Sequence, residues 1–274
     1  MMQLTVSTAD GPMRVDVSEP FDVSIPYNFS GEQPCHFGAE RASAVPLQAG
    51  SFVGDVRRGG SCNCEELRLI AHCNGTHTEC VGHVTAERVS VHELVRTGPV
   101  LTVLLSVVAI PCGESEETSD PPAHAGDRLI TASALEHAWR LHPAPGVIAL
   151  IVRTLPNDPG KRTRNYSGEP PPPFLSSEAA TLITARGIEH LLVDLPSIDR
   201  THDEGRLSAH RIFWGMPAGS TRFADSRRPQ ASITEMIYVP DSIADGRYLL
   251  DLQVAPFVSD AAPSRPLLYR LHRP

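Results

Sequence analysis

The segment His72-Cys73-Asn74-Gly75-Thr76-His77-Thr78-Glu79-Cys80-Val81-Gly82-His83 packs three imidazoles, one carboxylate and two thiols into twelve residues. These are the side-chain types that bind a borderline-soft divalent metal, and there are more of them than one ion needs. In extended backbone, residues two apart point the same way, so His77 and Glu79 can face one ion together. His72 has the wrong parity for a continuous strand, and the Asn74-Gly75 bend must bring it round. Cys73 has the right parity and competes for that place. His83, after Gly82, can stand beside an ion as a proton carrier.

The elements that must position this run are mostly short, β-rich apolar segments. Leu67–Ala71 leads into the motif, and 100–110 is expected to be a buried strand. Further inner strands are expected at 147–152 and 190–194, with 233–239, 248–254 and 266–271 completing a β-rich C-terminal part. Two helices are predicted: one from Thr131, with a hydroxyl cap, and one from Ser176 to a Gly187 stop. Strand, helix and strand across 147–194 suggest a βαβ crossover, interrupted by the stiff run Pro170-Pro171-Pro172-Pro173. Such a long insertion is expected to act as a lid or a subunit contact. No composition break divides the chain, so residues 1–274 read as one domain.

The 274 residues can bury a substantial core, and 41% hydrophobic with 20% charged residues excludes a disordered chain. A net charge of −8 argues against a broad nucleic-acid surface. The 25 prolines favour a loop-rich fold over a helical bundle. No export signal and no apolar run of about 18 residues is present, so a cytoplasmic protein without membrane attachment is expected. The six cysteines gather around the motif rather than forming a disulfide framework, which suits reduced thiols. Cys62 and Cys64 are too closely spaced for a zinc ribbon.

The run His72–His83 resembles the signature of the putative cyclase family, which includes bacterial kynurenine formamidases and isatin hydrolases and reads His-x-Gly-Thr-His-x-Asp-x-x-x-His. This chain departs twice: one residue is inserted before Gly75-Thr76-His77, and Glu79 replaces the aspartate. The insertion leaves His72 and Cys73 both placed for the first ligand, His72 being the type the resemblance implies. The resemblance continues at Asp194-Leu195-Pro196-Ser197-Ile198-Asp199, at His210, at Ile233-Thr234-Glu235 and at Pro263–Leu268. From the residues alone, Asp194 and Asp199 read more simply as turn caps around Pro196, while a carboxylate at Glu235 in an apolar strand demands a cation or dense hydrogen bonding.

The resemblance implies an α/β fold, a mixed β-barrel-like sheet with flanking helices of the swivelling β/β/α kind, in a homodimer or homotetramer. It implies one or two divalent ions, zinc or else manganese, held by His72, His77, Glu79, His210 and Glu235. The implied chemistry is arylformamidase-like hydrolysis of an amide C–N bond by metal-activated water, with His83 as general acid/base. Hydrolysis of a cyclic amide or lactone, or metal binding without turnover, are the alternatives. Phe29, Phe213 and Trp214 are candidates for an aromatic substrate cage.

Overall fold

Seven strands close on themselves: β1 (His77–Glu79), β2 (Pro99–Val108), β3 (Ala149–Leu155), β4 (His190–Val193), β5 (Ser232–Glu235), β6 (Gly246–Val254) and β7 (Ala261–Arg270). Around the barrel the order is β6-β2-β3-β4-β5-β1-β7, and pairing of β7 with β6 completes the ring. The steps from β2 to β5 are parallel, and the remaining four are antiparallel. Closure leaves no long open edge in the principal sheet, and Phe21–Asp22 adds a short flanking strand on β7. The computed structural model describes residues 3–96, 98–168 and 170–273.

The barrel follows from strands that are apolar on both faces. Leu104, Ala149, Ile151, Leu192, Leu250 and Leu268 form one cluster, plugged by Val23, Ile237 and Val239. Their alternating neighbours Val103, Leu105, Leu150, Val152, Leu191 and Ile233 form another, which packs against helices. Those helices are α2 (Ala132–Leu141), α3 (Ser177–Ala185) and α4 (Ser208–Trp214), numbered after a single turn, α1 (Ala71–Asn74). Thr131 and Ser176 cap α2 and α3 as expected, each hydroxyl accepting from the backbone N–H three residues on.

Two expectations shift. The β-rich run read at Leu67–Ala71 is strand only in its first two residues: Glu65–Arg68 is an exposed strand paired with Ser43–Pro46, and α1 begins at Ala71. The strand expected over 233–239 stops at Glu235, because Met236 takes a left-handed φ of 53° and turns the chain. The proline run lines a cavity of about 510 Å3 with Lys161, Tyr166 and Asp194. Among the described residues no helix is long and apolar enough to cross a membrane, and the six cysteines are free thiols.

Candidate metal centre

His72 comes from helical turn α1, and the chain passes into β1 through Gly75, which is extended (φ 171°). Glycine is needed there for close approach: a Cβ would lie 2.9 Å from the Tyr27 ring. Thr76 anchors the passage, its hydroxyl accepting from the Ile25 N–H and donating to the Met236 carbonyl. Gly82 is equally constrained, since a Cβ would meet the Val89 carbonyl oxygen at 2.3 Å. The turn at Val81–Val84 then carries His83 back beside His72, with ring centroids 4.4 Å apart.

Strand register supplies the next donor. His77 is paired directly with Glu235 across β1 and β5, and Glu79 lies two residues on, over the same helix-covered face as Ile233. From above, α4 lowers His210 onto this face. Asp199 sets that helix in place by accepting from the Ala209 N–H (2.8 Å) and the His210 N–H (3.1 Å). Leu207, ahead of α4, sits at φ 49°, a strain of order 1–3 kcal/mol; its N–H is tied to the Asp203 carboxylate at 2.6 Å.

The donor atoms converge. His72 Nδ1 is 3.2 Å and His210 Nε2 2.8 Å from the two Glu79 oxygens. His77 Nε2 lies 3.4 Å from Glu235 Oε2, and His210 Nε2 lies 3.5 Å from Glu235 Oε1. These approaches are not aligned as hydrogen bonds for Glu79 or His77: among the described residues both Glu79 oxygens and His77 Nε2 are buried without a partner. Among the described residues, three donors sit close enough to share an ion in three sets: His72, His77, Glu79, then His72, His83, Asp260, and Glu79, His83, His210. Meanwhile the far side of each ring is held: His77 Nδ1 by the Gly75 carbonyl (3.1 Å) and His210 Nδ1 by Asp199 (2.6 Å). An acceptor behind each ring that frees the other nitrogen is how imidazoles are prepared to bind metal. Unpartnered buried nitrogen and carboxylate oxygen atoms in this mixture fit a divalent metal ion.

Charges respond accordingly. Burial alone would depress His72, but the neighbouring carboxylates of Asp260 and Glu79 outweigh it and raise its pKa to about 10. His210 is likewise raised despite burial, chiefly by Glu79 and Asp199. Burial would raise Glu79, yet the imidazoles of His83 and His210 hold it well below the usual carboxylate range. Without an ion, the centre gathers protons where an ion would put positive charge.

All six predicted site residues meet here. The groups of donors within reach of one another include His72 and not Cys73, whose thiol burial pushes up to about 11. Asp199 both caps α4 and holds His210, whereas Asp194 points elsewhere, to Lys161. Of the three aromatic candidates, Phe213 and Trp214 are fully buried in the helix-side core, the Trp214 ring lying 5.4 Å from His210 and 6.5 Å from His83, while Phe29 is half-buried.

Sequence reasoning missed two residues. Asp260 Oδ2 lies 2.9 Å from His72 Nε2 and 3.3 Å from His83 Nδ1. It arrives from the loop before β7, 188 residues after His72, and only its place just upstream of Pro263–Leu268 hinted at it. His36 is buried against Phe37 and near Tyr166, with both ring nitrogens unpartnered. Burial lowers its pKa to about 4, so it is neutral, and nothing in the surrounding sequence marks it.

The centre opens on one side. His77 and Glu79 are fully buried, while His72, His83 and Asp260 keep 25%, 27% and 36% of their side-chain surface exposed. A cavity of about 280 Å3, bordered by Gly82, Arg88, Ser90, Ser259 and Asp260, adjoins that side.

The family profile described as Putative cyclase matches residues 15–200. Among solved structures, isatin hydrolase A from Labrenzia aggregata, bound to benzyl benzoate, is similar with a TM-score of 0.61 and 16% identity, over 92% of this chain and 93% of that one. A potential metal-dependent hydrolase with cyclase activity matches at TM-score 0.57 and 17% identity, over 92% and 98%. Isatin hydrolase A from Ralstonia solanacearum matches at 0.54 and 14%, over 93% and 92%. These likenesses show the fold. Comparison with curated proteins finds no match.

Proposed function

The chain belongs to the putative cyclase family, and from that premise we propose that it is a metal-dependent hydrolase of an amide C–N bond in a small substrate. The observation that carries this reading is the set of buried, unpartnered atoms, His77 Nε2 and both Glu79 oxygens, at the meeting point of three imidazoles and two carboxylates. Left bare, such a set costs several kcal/mol of desolvation; a function that requires a cation accounts for it.

His72, His77, Glu79, His210 and Glu235 would hold one or two divalent ions, zinc or alternatively manganese. Such an ion supplies Lewis acidity toward a carbonyl and a nucleophilic water at neutral pH. The protein's own residues do the rest. Glu79 lies between His72 and His210, and its longer side chain reaches both imidazoles where the family has aspartate. Ile198 N–H holds Glu235 Oε1 at 2.9 Å, which fixes the carboxylate against His77 and His210. Trp214 and the α4 backbone exclude water from the rear of the centre. His83, half-open to solvent and bonded to no ring-side carbonyl, takes a proton on the nucleophile's side and returns it to the leaving nitrogen.

Two finer readings of the substrate differ in the bond they place here. An open-chain aryl formamide is the expectation from the motif. A cyclic amide is favoured by the isatin hydrolases among the similar structures. Protein stripped of metal and reloaded with zinc or manganese should hydrolyse one of N-formylkynurenine and isatin, with turnover abolished by chelation. Turnover indifferent to chelators would refute the metal mechanism. His83→Ala should keep its metal and lose about 10²- to 10⁴-fold in kcat.

A further inference from the structure

The Asp260 carboxylate stands outside the proposed ligand set, yet a single oxygen of it joins the two half-buried imidazoles of the centre. Oδ2 is 2.9 Å from His72 Nε2 and 3.3 Å from His83 Nδ1. The other oxygen, Oδ1, accepts from the Ser259 hydroxyl at 3.1 Å, which keeps Oδ2 turned toward the rings. The backbone carbonyl of Asp260 accepts from the Cys80 N–H at 3.0 Å, so the loop is tied to the motif it serves. An ionised carboxylate only accepts, and each ring nitrogen facing it must therefore carry its hydrogen.

We propose that Asp260 is a positioning residue that fixes the tautomers of His72 and His83 through one shared carboxylate oxygen. On His72 the hydrogen is held at Nε2, which leaves Nδ1 bare toward Glu79, the nitrogen 3.2 Å from Oε2. On His83 the hydrogen is held at Nδ1, which leaves Nε2 as the basic nitrogen that takes and returns a proton. The consequence is a mechanical link: the ring that binds the ion and the ring that moves the proton are oriented by the same atom. The arrangement extends to these two rings the backing that Asp199 gives His210 and the Gly75 carbonyl gives His77. All four imidazoles then have one nitrogen committed to an outer acceptor.

The part concerning His83 rests on the hydrolase reading, so the test has an arm that needs no turnover. In protein saturated with zinc chloride and labelled with ¹⁵N at histidine, the His83 signals, identified by their loss in His83→Ala, should report hydrogen on Nδ1. Asp260→Asn, which preserves shape, should shift them toward a mixture of tautomers with the zinc still bound. In the kinetic arm, at saturating zinc, Asp260→Asn should lower kcat about 10- to 100-fold with KM little changed. In the His83→Ala background it should lower kcat no further. Hydrogen found on Nε2 of His83 in the wild type would overturn the proposal. So would losses from Asp260→Asn and His83→Ala that simply multiply. A wild type with no hydrolysis but the expected Nδ1 signal would leave the positioning role standing and remove the hydrolase reading. Turnover with His83 signals indifferent to Asp260→Asn would do the reverse.

Discussion

Asp194 and Glu79 are both fully buried carboxylates of the barrel wall, yet their surroundings differ at every oxygen. Asp194 receives Lys161 Nζ at 2.7 Å and the N–H and hydroxyl of Thr154 at 2.9 Å each. Lys161 in turn reaches the Thr154 carbonyl at 2.7 Å, so charge and hydrogen bonds are matched within the protein. Glu79 has imidazoles at 2.8 and 3.2 Å but no aligned hydrogen bond on either oxygen. Burial raises Asp194 above its ordinary pKa even against Lys161, while the imidazoles pull Glu79 far below its own. A buried charge answered by fixed partners belongs to the scaffold; one answered only by titratable rings is kept for something that comes and goes.

The sharpest way to break this contrast is Glu79→Gln. It should remove the metal, as read by mass spectrometry of the purified protein, and bring hydrolysis to background, while the unfolding midpoint of metal-free protein stays level or rises. A variant with full metal content would place Glu79 with the scaffold residues. Lys161→Met should do the opposite. With Asp194 left unpaired, urea unfolding should show a loss of about 3–5 kcal/mol, and metal per folded molecule should be unchanged.

Asp199 tests the boundary between the two kinds. Asparagine caps a helix as well as aspartate, so Asp199→Asn should leave α4 and the melting temperature nearly in place. The charged bond to His210 Nδ1 is lost, and metal affinity should weaken about 10- to 100-fold in a competition titration. Equal losses of stability and affinity would mean that the cap is its whole role. The last test is in pH. In metal-free protein His72, at about 10, and His210, also raised, carry protons at neutrality that binding must displace. Affinity therefore rises with pH, by about tenfold per unit for each proton released, and zinc titrations in buffers of different ionisation enthalpy count those protons.

The contrast also explains what could be read from the sequence. His77, Glu79 and Glu235 were legible because strand alternation and an apolar frame make a carboxylate conspicuous. The barrel strands were legible as apolar runs, but their closure was not, since pairing of β6 with β7 leaves no mark in either segment. The turn at α1 overrode the extended reading of the motif and made the parity argument for Cys73 void. Lys161 and Asp260 were invisible for a shared reason. Each takes its meaning from a neighbour distant in sequence, Lys161 from Asp194 and Asp260 from His72, and no local pattern announces such a partner.

The closing strand has a consequence in time. Chains are made from the N-terminus at about 5–20 residues per second, and Asp260 follows His72 by 188 positions. The motif is thus outside the ribosome for roughly 10–40 s before β7 and its preceding loop exist to meet it. At the start of that interval His72, His77 and Glu79 stand beside the free thiols of Cys73 and Cys80, before the strands that wall them in have been made. An ion bound then would meet a flexible thiol-rich peptide, a softer site than the nitrogen–oxygen centre of the finished protein. The five proposed nitrogen and oxygen donors are all made by residue 235, so what the last strand adds is the closed ring and, just ahead of it, the Asp260 carboxylate at His72 and His83.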